Sequence, residues 1–193
     1  MRGNEGKAVW TRVAVAIVLV AIILAAAWFG FRPALVGGLH EEHELACQEN
    51  LRKIGMALQV YASEHYGEFP EGRRMEDVFA RLAPLTDDKG ERLVTEETFL
   101  CPAAAADRGE WKRAGEITDE SSSYVWTPEL TATAPADIMV FYEKSPNHHG
   151  GGRNVLYVDG RVEWVTEKEF GKKLAEQEEK VRAFLADPDA WRK

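Results

Sequence analysis

The sequence predicts an α+β fold, and three patterns carry that expectation. Apolar residues recur at helical spacing from Cys47 to Tyr61. Short β-branched and aromatic runs follow between Ser122 and Val165. A second helical pattern then runs from Phe170 to Leu185. An uninterrupted apolar stretch precedes all three. The expected architecture is an N-terminal transmembrane helix, then a helix packed on a small antiparallel β-sheet with a C-terminal helix.

The N-terminal stretch sets the domain organisation. Val13 to Phe31 is nineteen residues without a charged side chain. At a helical rise of about 1.5 Å per residue it would reach roughly 28 Å, close to a hydrocarbon thickness of about 30 Å. A cleavable secretory signal is the alternative, but its apolar region is shorter and is followed by small residues. Here Trp28, Phe29 and Phe31 occupy those positions. Arg2, Lys7 and Arg12 precede the span, and Glu41, Glu42 and Glu44 follow it. The positive-inside tendency then places residues 1–12 in the cytoplasm and the bulk of the chain outside. Residues 32–39, with Pro33, Gly37 and Gly38, read as a hinge that interrupts the helix. Residues 40–193 read as the exported domain.

Charge follows the same division. The formal net charge is −8 over 193 residues, yet residues 1–32 hold four basic groups and one acidic group. Beyond residue 32 lie 20 of the 24 basic and 31 of the 32 acidic groups, a net of about −11. Such an acidic domain repels phosphates, which argues against nucleic acid as a partner. The length is too small for a two-domain dinucleotide enzyme or a (β/α)8 barrel.

Within the domain, Cys47, Leu51, Ile54, Leu58 and Tyr61 form one helical stripe, ended by the turn Gly67–Glu68–Phe69–Pro70. Met75 to Leu82 reads as a short helix stopped by Pro84, and residues 86–98 as a charged loop. Thr98 to Pro102 is a short apolar run presenting Cys101. Ser122–Trp126 and Ile138–Tyr142 read as strands. Val155–Val158 and Val162–Val165 flank Asp159–Gly160, the signature of a hairpin with a two-residue turn. Phe170, Leu174, Val181 and Phe184/Leu185 share a stripe on the last helix, which ends before Pro188.

The densest polar cluster is Asn147 to Asn154, containing His148, His149, Gly150, Gly151, Gly152 and Arg153. It lacks the Lys-Ser/Thr pair of a phosphate loop and leads into a strand, so a phosphate site is disfavoured. His148, His149 and Asp159 have metal-donor atoms, which leaves a metal-dependent exported enzyme as one alternative. Calcium held structurally by loop oxygens is another. Against both, Asp159 has a sufficient role in its hairpin, and the glycines permit close packing. No cofactor is otherwise expected. No Gly-x-Ser-x-Gly occurs, and Cys47 sits on an apolar stripe unsuited to a nucleophile, so no catalytic residue is assigned. Cys47 and Cys101, the only cysteines, suit a disulfide in an oxidising compartment; two buried free thiols are the alternative.

His149, nine intervening residues and Asp159–Gly160 spell H-x9-D-G. Together with Cys47-x-x-Asn50-Leu51-Arg52-x-Ile54-Gly55, Tyr61–Ala62, Phe99-Leu100-Cys101-Pro102, Ser123–Tyr124, Glu143–Lys144 and the run from Asn147 to Trp164, this resembles the bacterial prepilin-type processing-associated H-X9-DG family of pilin-like proteins. The resemblance covers about residues 45–170. Its motif falls here on His149, Gly150, Gly151, Gly152, Asn154, Asp159 and Gly160. It implies a non-enzymatic, membrane-anchored protein with one pass through the bacterial inner membrane. The implied pilin-like periplasmic head would serve assembly, secretion or surface interaction, with pilin-like or secretion-system proteins as partners. A true pseudopilin subunit of a type II secretion or type IV pilus machine is the alternative. One feature departs from that pattern. Gly6 is followed by Lys7–Ala8–Val9–Trp10–Thr11, without the acidic residue that opens the span of prepilin-peptidase substrates.

Overall fold

The computed structural model describes residues 3–102, 117–144 and 151–191. The chain divides into two compact units, Met1–Glu41 and Glu42–Lys193. Helix α1 runs Gly3–Glu64 over 62 residues. Its backbone stays helical through Pro33, Gly37 and Gly38, which corrects the helix break expected at 32–39. Proline removes one backbone hydrogen bond and each glycine costs about 1 kcal/mol, but these penalties are local. They do not end a helix whose flanking turns keep their own bonds.

In the first unit, the described side chains from Val13 to Trp28 are all exposed. Among the described residues no helix is long and apolar enough to cross a membrane. The membrane-spanning helix expected over Val13–Phe31 is thus not supported among the described residues.

The second unit is α+β. Cys47, Leu51, Ile54, Leu58 and Tyr61 of α1 are all buried, as their spacing requires. Beside that stripe Gly55 lets the helix approach the sheet closely: a Cβ there would lie 3.0 Å from Leu156 Cδ1. Gln59 Nε2 donates to the Val158 carbonyl at 3.1 Å, fixing the same contact by a hydrogen bond. The helix stops where Tyr66 and Gly67 take positive φ, 56° and 87°. Helix α2, Met75–Leu82, buries Met75, Val78 and Leu82. A 3-10 turn, Glu96–Phe99, leads into Cys101.

Four antiparallel strands form a meander in the order β1 (Tyr124–Trp126), β2 (Met139–Glu143), β3 (Gly152–Tyr157) and β4 (Val162–Thr166). Side-chain alternation divides the sheet into two faces. Tyr124, Phe141 and Leu156 join the cluster built on Leu51, Ile54 and Leu58 of α1. Val155, Tyr157 and Val165 form a second cluster with Phe170 and Leu174 of the last helix, α3 (Glu167–Ala186). β3, covered on both faces, is buried throughout.

The β3–β4 hairpin differs from the expected two-residue turn. Tyr157 N–H bonds the Arg161 carbonyl at 2.9 Å, and Gly160 N–H bonds the Tyr157 carbonyl at 2.9 Å. Three residues therefore form the loop, and the positive φ falls on Gly160 alone, at 85°. This is the turn-plus-bulge solution, which needs one left-handed residue where a two-residue turn of type I′ needs two. Helix α3 starts with a reciprocal cap between Thr166 and Glu169. It buries Phe170 and Phe184 and leaves Leu185 exposed, which resolves the paired position on the expected stripe.

Gly152 is the most tightly constrained glycine of the sheet. A Cβ would meet the Val165 carbonyl at 2.4 Å and the Trp164 ring at 2.9 Å. Gly152→Ala is expected to cost about 1–3 kcal/mol, the usual range for overpacking. Urea unfolding checks it, and an unchanged midpoint contradicts the close packing described.

Candidate functional site

Residues far apart in the chain converge at the end of the sheet where β1, β2 and β3 meet α1. The cross-strand register aligns Tyr124 with Glu143. Asn154 follows in the same row, because its N–H donates to Glu143 Oε2 at 2.7 Å. The α1 side of this row carries Cys47, bonded to Cys101 in a disulfide with Cα atoms 5.4 Å apart. Both cysteines, Glu143 and Asn154 are fully buried. Cys47 Sγ, Cys101 Sγ and a Glu143 carboxylate oxygen lie within 4.8 Å of one another.

Polar contacts tie the surrounding segments together. Asn50, three residues beyond Cys47, donates from Nδ2 to the Leu100 carbonyl at 3.1 Å, so α1 grips the Cys101 segment twice. Ser123 N–H bonds the Phe99 carbonyl, and Lys144 N–H bonds the Ser123 carbonyl, both at 2.9 Å. Arg153 reaches in the other direction. Its guanidinium donates to both carboxylate oxygens of Glu167, at 2.9 and 2.6 Å, and to the Glu143 carbonyl at 3.1 Å. It also lies over the Phe170 ring, 4.0 Å from the centroid. A forked guanidinium suits this bidentate pairing, and lysine could not reproduce it. The cluster thus joins α1, the Cys101 segment, three strands and the start of α3.

The described residues of the H-x9-D-G stretch do not meet in one site. Gly152 and Asn154 belong to this cluster's end of β3, whereas Asp159 and Gly160 form the hairpin loop at the other end. Asp159 Oδ1 accepts from Arg161 N–H at 3.0 Å, and its carboxylate faces the Arg161 guanidinium at 3.8 Å. Its bonding is that of a turn residue. His148, His149 and Gly150 lie outside the described residues, so a His148–His149–Asp159 metal set and a loop calcium site do too; Gly151 is exposed. Among the described residues, the one cluster of three metal-donor side chains is Cys47, Cys101 and Glu143. With the sulfurs joined in a disulfide, neither is a thiolate able to ligate.

Two groups were given no role by the sequence reading, although Glu143 was named in the family pattern. Glu143 sits two residues after Phe141, on the inward phase of β2, and an acidic residue at that phase was the available signal. Gln177 falls three after Leu174 and four before Val181, on the stripe of α3. Its side chain pairs with both backbone groups of Met139, accepting from N–H at 2.7 Å and donating to the carbonyl at 3.1 Å. That pairing satisfies the irregular point of β2, where the register shifts between Met139 and Phe141.

A groove of about 640 Å³ lies between α1 and the 86–93 loop, lined by Met56, Val60, Leu93, Asp87 and Asp88, with Gly160 at its margin. A second, of about 510 Å³, lies between Trp126 and Leu185. Neither includes a residue of the buried polar cluster. Comparison of the chain with family models, with curated proteins and with solved structures gives no match.

The disulfide spans 54 positions, and closing a loop of that size is worth about 4 kcal/mol in the chain-entropy treatment. Reduction, or Cys101→Ser, is expected to lower unfolding free energy by about 2–4 kcal/mol. Denatured, non-reduced protein should show no reactive thiol, and two thiols per chain would contradict the bond.

Burial pushes the phenols of Tyr124, Tyr142 and Tyr157 upward from the ordinary tyrosine range; for Tyr124 the Glu143 charge adds to it. A phenol raised in the folded state supports the fold fully below its unfolded value near 10. That support is lost as pH rises through the folded value. Phenolate absorbance from these three should therefore appear together with cooperative alkaline unfolding above about pH 10. Tyr124→Phe should move that transition to higher pH. Ionisation of Tyr124 in a still-folded chain is the contrary result.

Proposed function

We propose that the chain is a membrane-anchored, pilin-like protein whose extracytoplasmic head is non-enzymatic and serves assembly, secretion or surface interaction. The fully buried Cys47–Cys101 disulfide carries the reading, because such bonds persist in oxidising compartments outside the cytoplasm. The apolar run Val13–Phe31, with basic residues before it and acidic residues after it, supplies the anchor and the orientation. The cluster around Cys47, Asn50, Cys101, Tyr124, Glu143 and Asn154 supports the resemblance from a different direction. Residues shared with the H-X9-DG pattern at scattered positions meet in one place, and what they do there is hold the head together.

A true pseudopilin subunit is the second reading, and one observation favours it: α1 is helical from Gly3 to Glu64, including Pro33 and Gly37–Gly38. The residues after Gly6 oppose it, since they lack the acidic group of a prepilin-peptidase site.

The test is carbonate extraction with protease accessibility on bacterial cells producing the full chain. The protein is expected to stay in the membrane fraction, with the Glu42–Lys193 unit cleaved by protease added to the periplasmic side. A chain recovered in the soluble fraction overturns the anchored reading. Intact mass separates the two versions: a start at Met1 supports the unprocessed protein, whereas cleavage after Gly6 with N-methylation supports the pseudopilin.

A further inference from the structure

The cluster of Cys47, Cys101 and Glu143 has a second chemistry, available once the disulfide is opened. A thiol pair and a carboxylate are a zinc donor set when deprotonated. Donor atoms around one tetrahedral zinc stand roughly 3.3–3.8 Å apart. The three donors here already lie within 4.8 Å of one another and are fully buried, so small side-chain rotations would bring them to that spacing. They come from three separate segments, α1, the Cys101 segment and β2, so a bound ion would join the same parts as the disulfide does.

A second observation points the same way. Asn154 Oδ1 is buried without a hydrogen-bond partner. It belongs to the residue whose N–H holds Glu143 Oε2 at 2.7 Å. An orphaned buried acceptor keeps an uncompensated desolvation cost, which a cation within reach of it would relieve. The Asn154 N–H also does what outer-shell partners do at metal centres, orienting a ligating carboxylate.

We propose that the reduced form of the protein binds one zinc ion through Cys47, Cys101 and Glu143, making metal and disulfide alternative cross-links at one position. The chemistry balances with an external reductant. Two electrons from a phosphine or a cellular dithiol and two protons convert the disulfide to two thiols. Zinc then displaces those protons and forms two thiolate–zinc bonds, with the Glu143 carboxylate as third ligand. An external disulfide then accepts the two electrons by thiol–disulfide exchange, leaving as two thiols while the protein disulfide re-forms and the ion loses its sulfur ligands.

The experiment uses the full chain in non-ionic detergent, reduced with a water-soluble phosphine and titrated with zinc against a chromophoric chelator. Cobalt serves as a spectroscopic substitute. One zinc per reduced chain is expected, none per oxidised chain, and the cobalt form should show thiolate-to-metal charge-transfer absorption. Glu143→Gln should weaken zinc binding at least tenfold while leaving oxidised protein disulfide-bonded. Zinc uptake by reduced wild type no greater than that of the Cys47→Ser/Cys101→Ser double variant overturns the proposal. So does a Glu143→Gln affinity equal to wild type, which is also what two cysteines in an unfolded chain would give. Absence of the cobalt charge-transfer band in reduced wild type overturns it without any variant.

Discussion

The covalent bond between Cys47 and Cys101 is the constraint on which the second unit depends. Helix α1 packs on the sheet through its apolar stripe, and Phe99 at the end of the 3-10 turn enters the same core; the residues just beyond it are tied to the helix by other means. The disulfide and the Asn50 side chain secure them to the helix at two adjacent points. From there Phe99 accepts hydrogen bonds from Ser123, and Ser123 passes the connection to Lys144. The irregular middle of the chain is thereby joined to both a helix and a strand.

Below that bond, the cluster combines burial with charge. Glu143 is fully buried, and its carboxylate accepts the Asn154 N–H in place of an ordinary ladder bond between β2 and β3. Arg153 is nearly buried and is neutralised by Glu167 at the first turn of α3, where a carboxylate is also favoured by the helix dipole. Removing Glu167 would leave the nearly buried Arg153 guanidinium without its carboxylate in a region of low dielectric, which is far more costly than never having placed the pair there. Polar groups at this end of the sheet therefore specify one arrangement of strands and helices. An apolar core would tolerate several.

Much of the fold was legible from periodicity. The stripe from Cys47 to Tyr61, the short helix Met75–Leu82 and the four strand segments were each readable because burial imposes a repeat of 3.6 or 2 on the residues themselves. Errors arose where the outcome depended on groups outside the local window. The Asp159–Gly160 pair signalled a hairpin correctly, but its loop length depended on where Tyr157 and Arg161 paired. Pro33 and the two glycines signalled a helix break, yet their local penalties did not end α1. Glu143 entered only as part of a family resemblance and Gln177 not at all, although both stand on inward phases, since their partners lie 11 and 38 positions away in sequence.

The sequence by itself determined the fold class, the helical stripe, the order of strands and the division into an apolar N-terminal run and an acidic remainder. Those properties depend on composition and local repeat, which every short segment carries within it. Tertiary structure alone decided that the two cysteines are joined, that Glu143 lies near their sulfurs, and that Gly152 and Asn154 stand at the opposite end of one strand from Asp159 and Gly160. The reason is geometric. Convergence of α1, the Cys101 segment and β2 is produced by packing across tens of residues, and no local pattern encodes which buried polar groups will then find themselves neighbours.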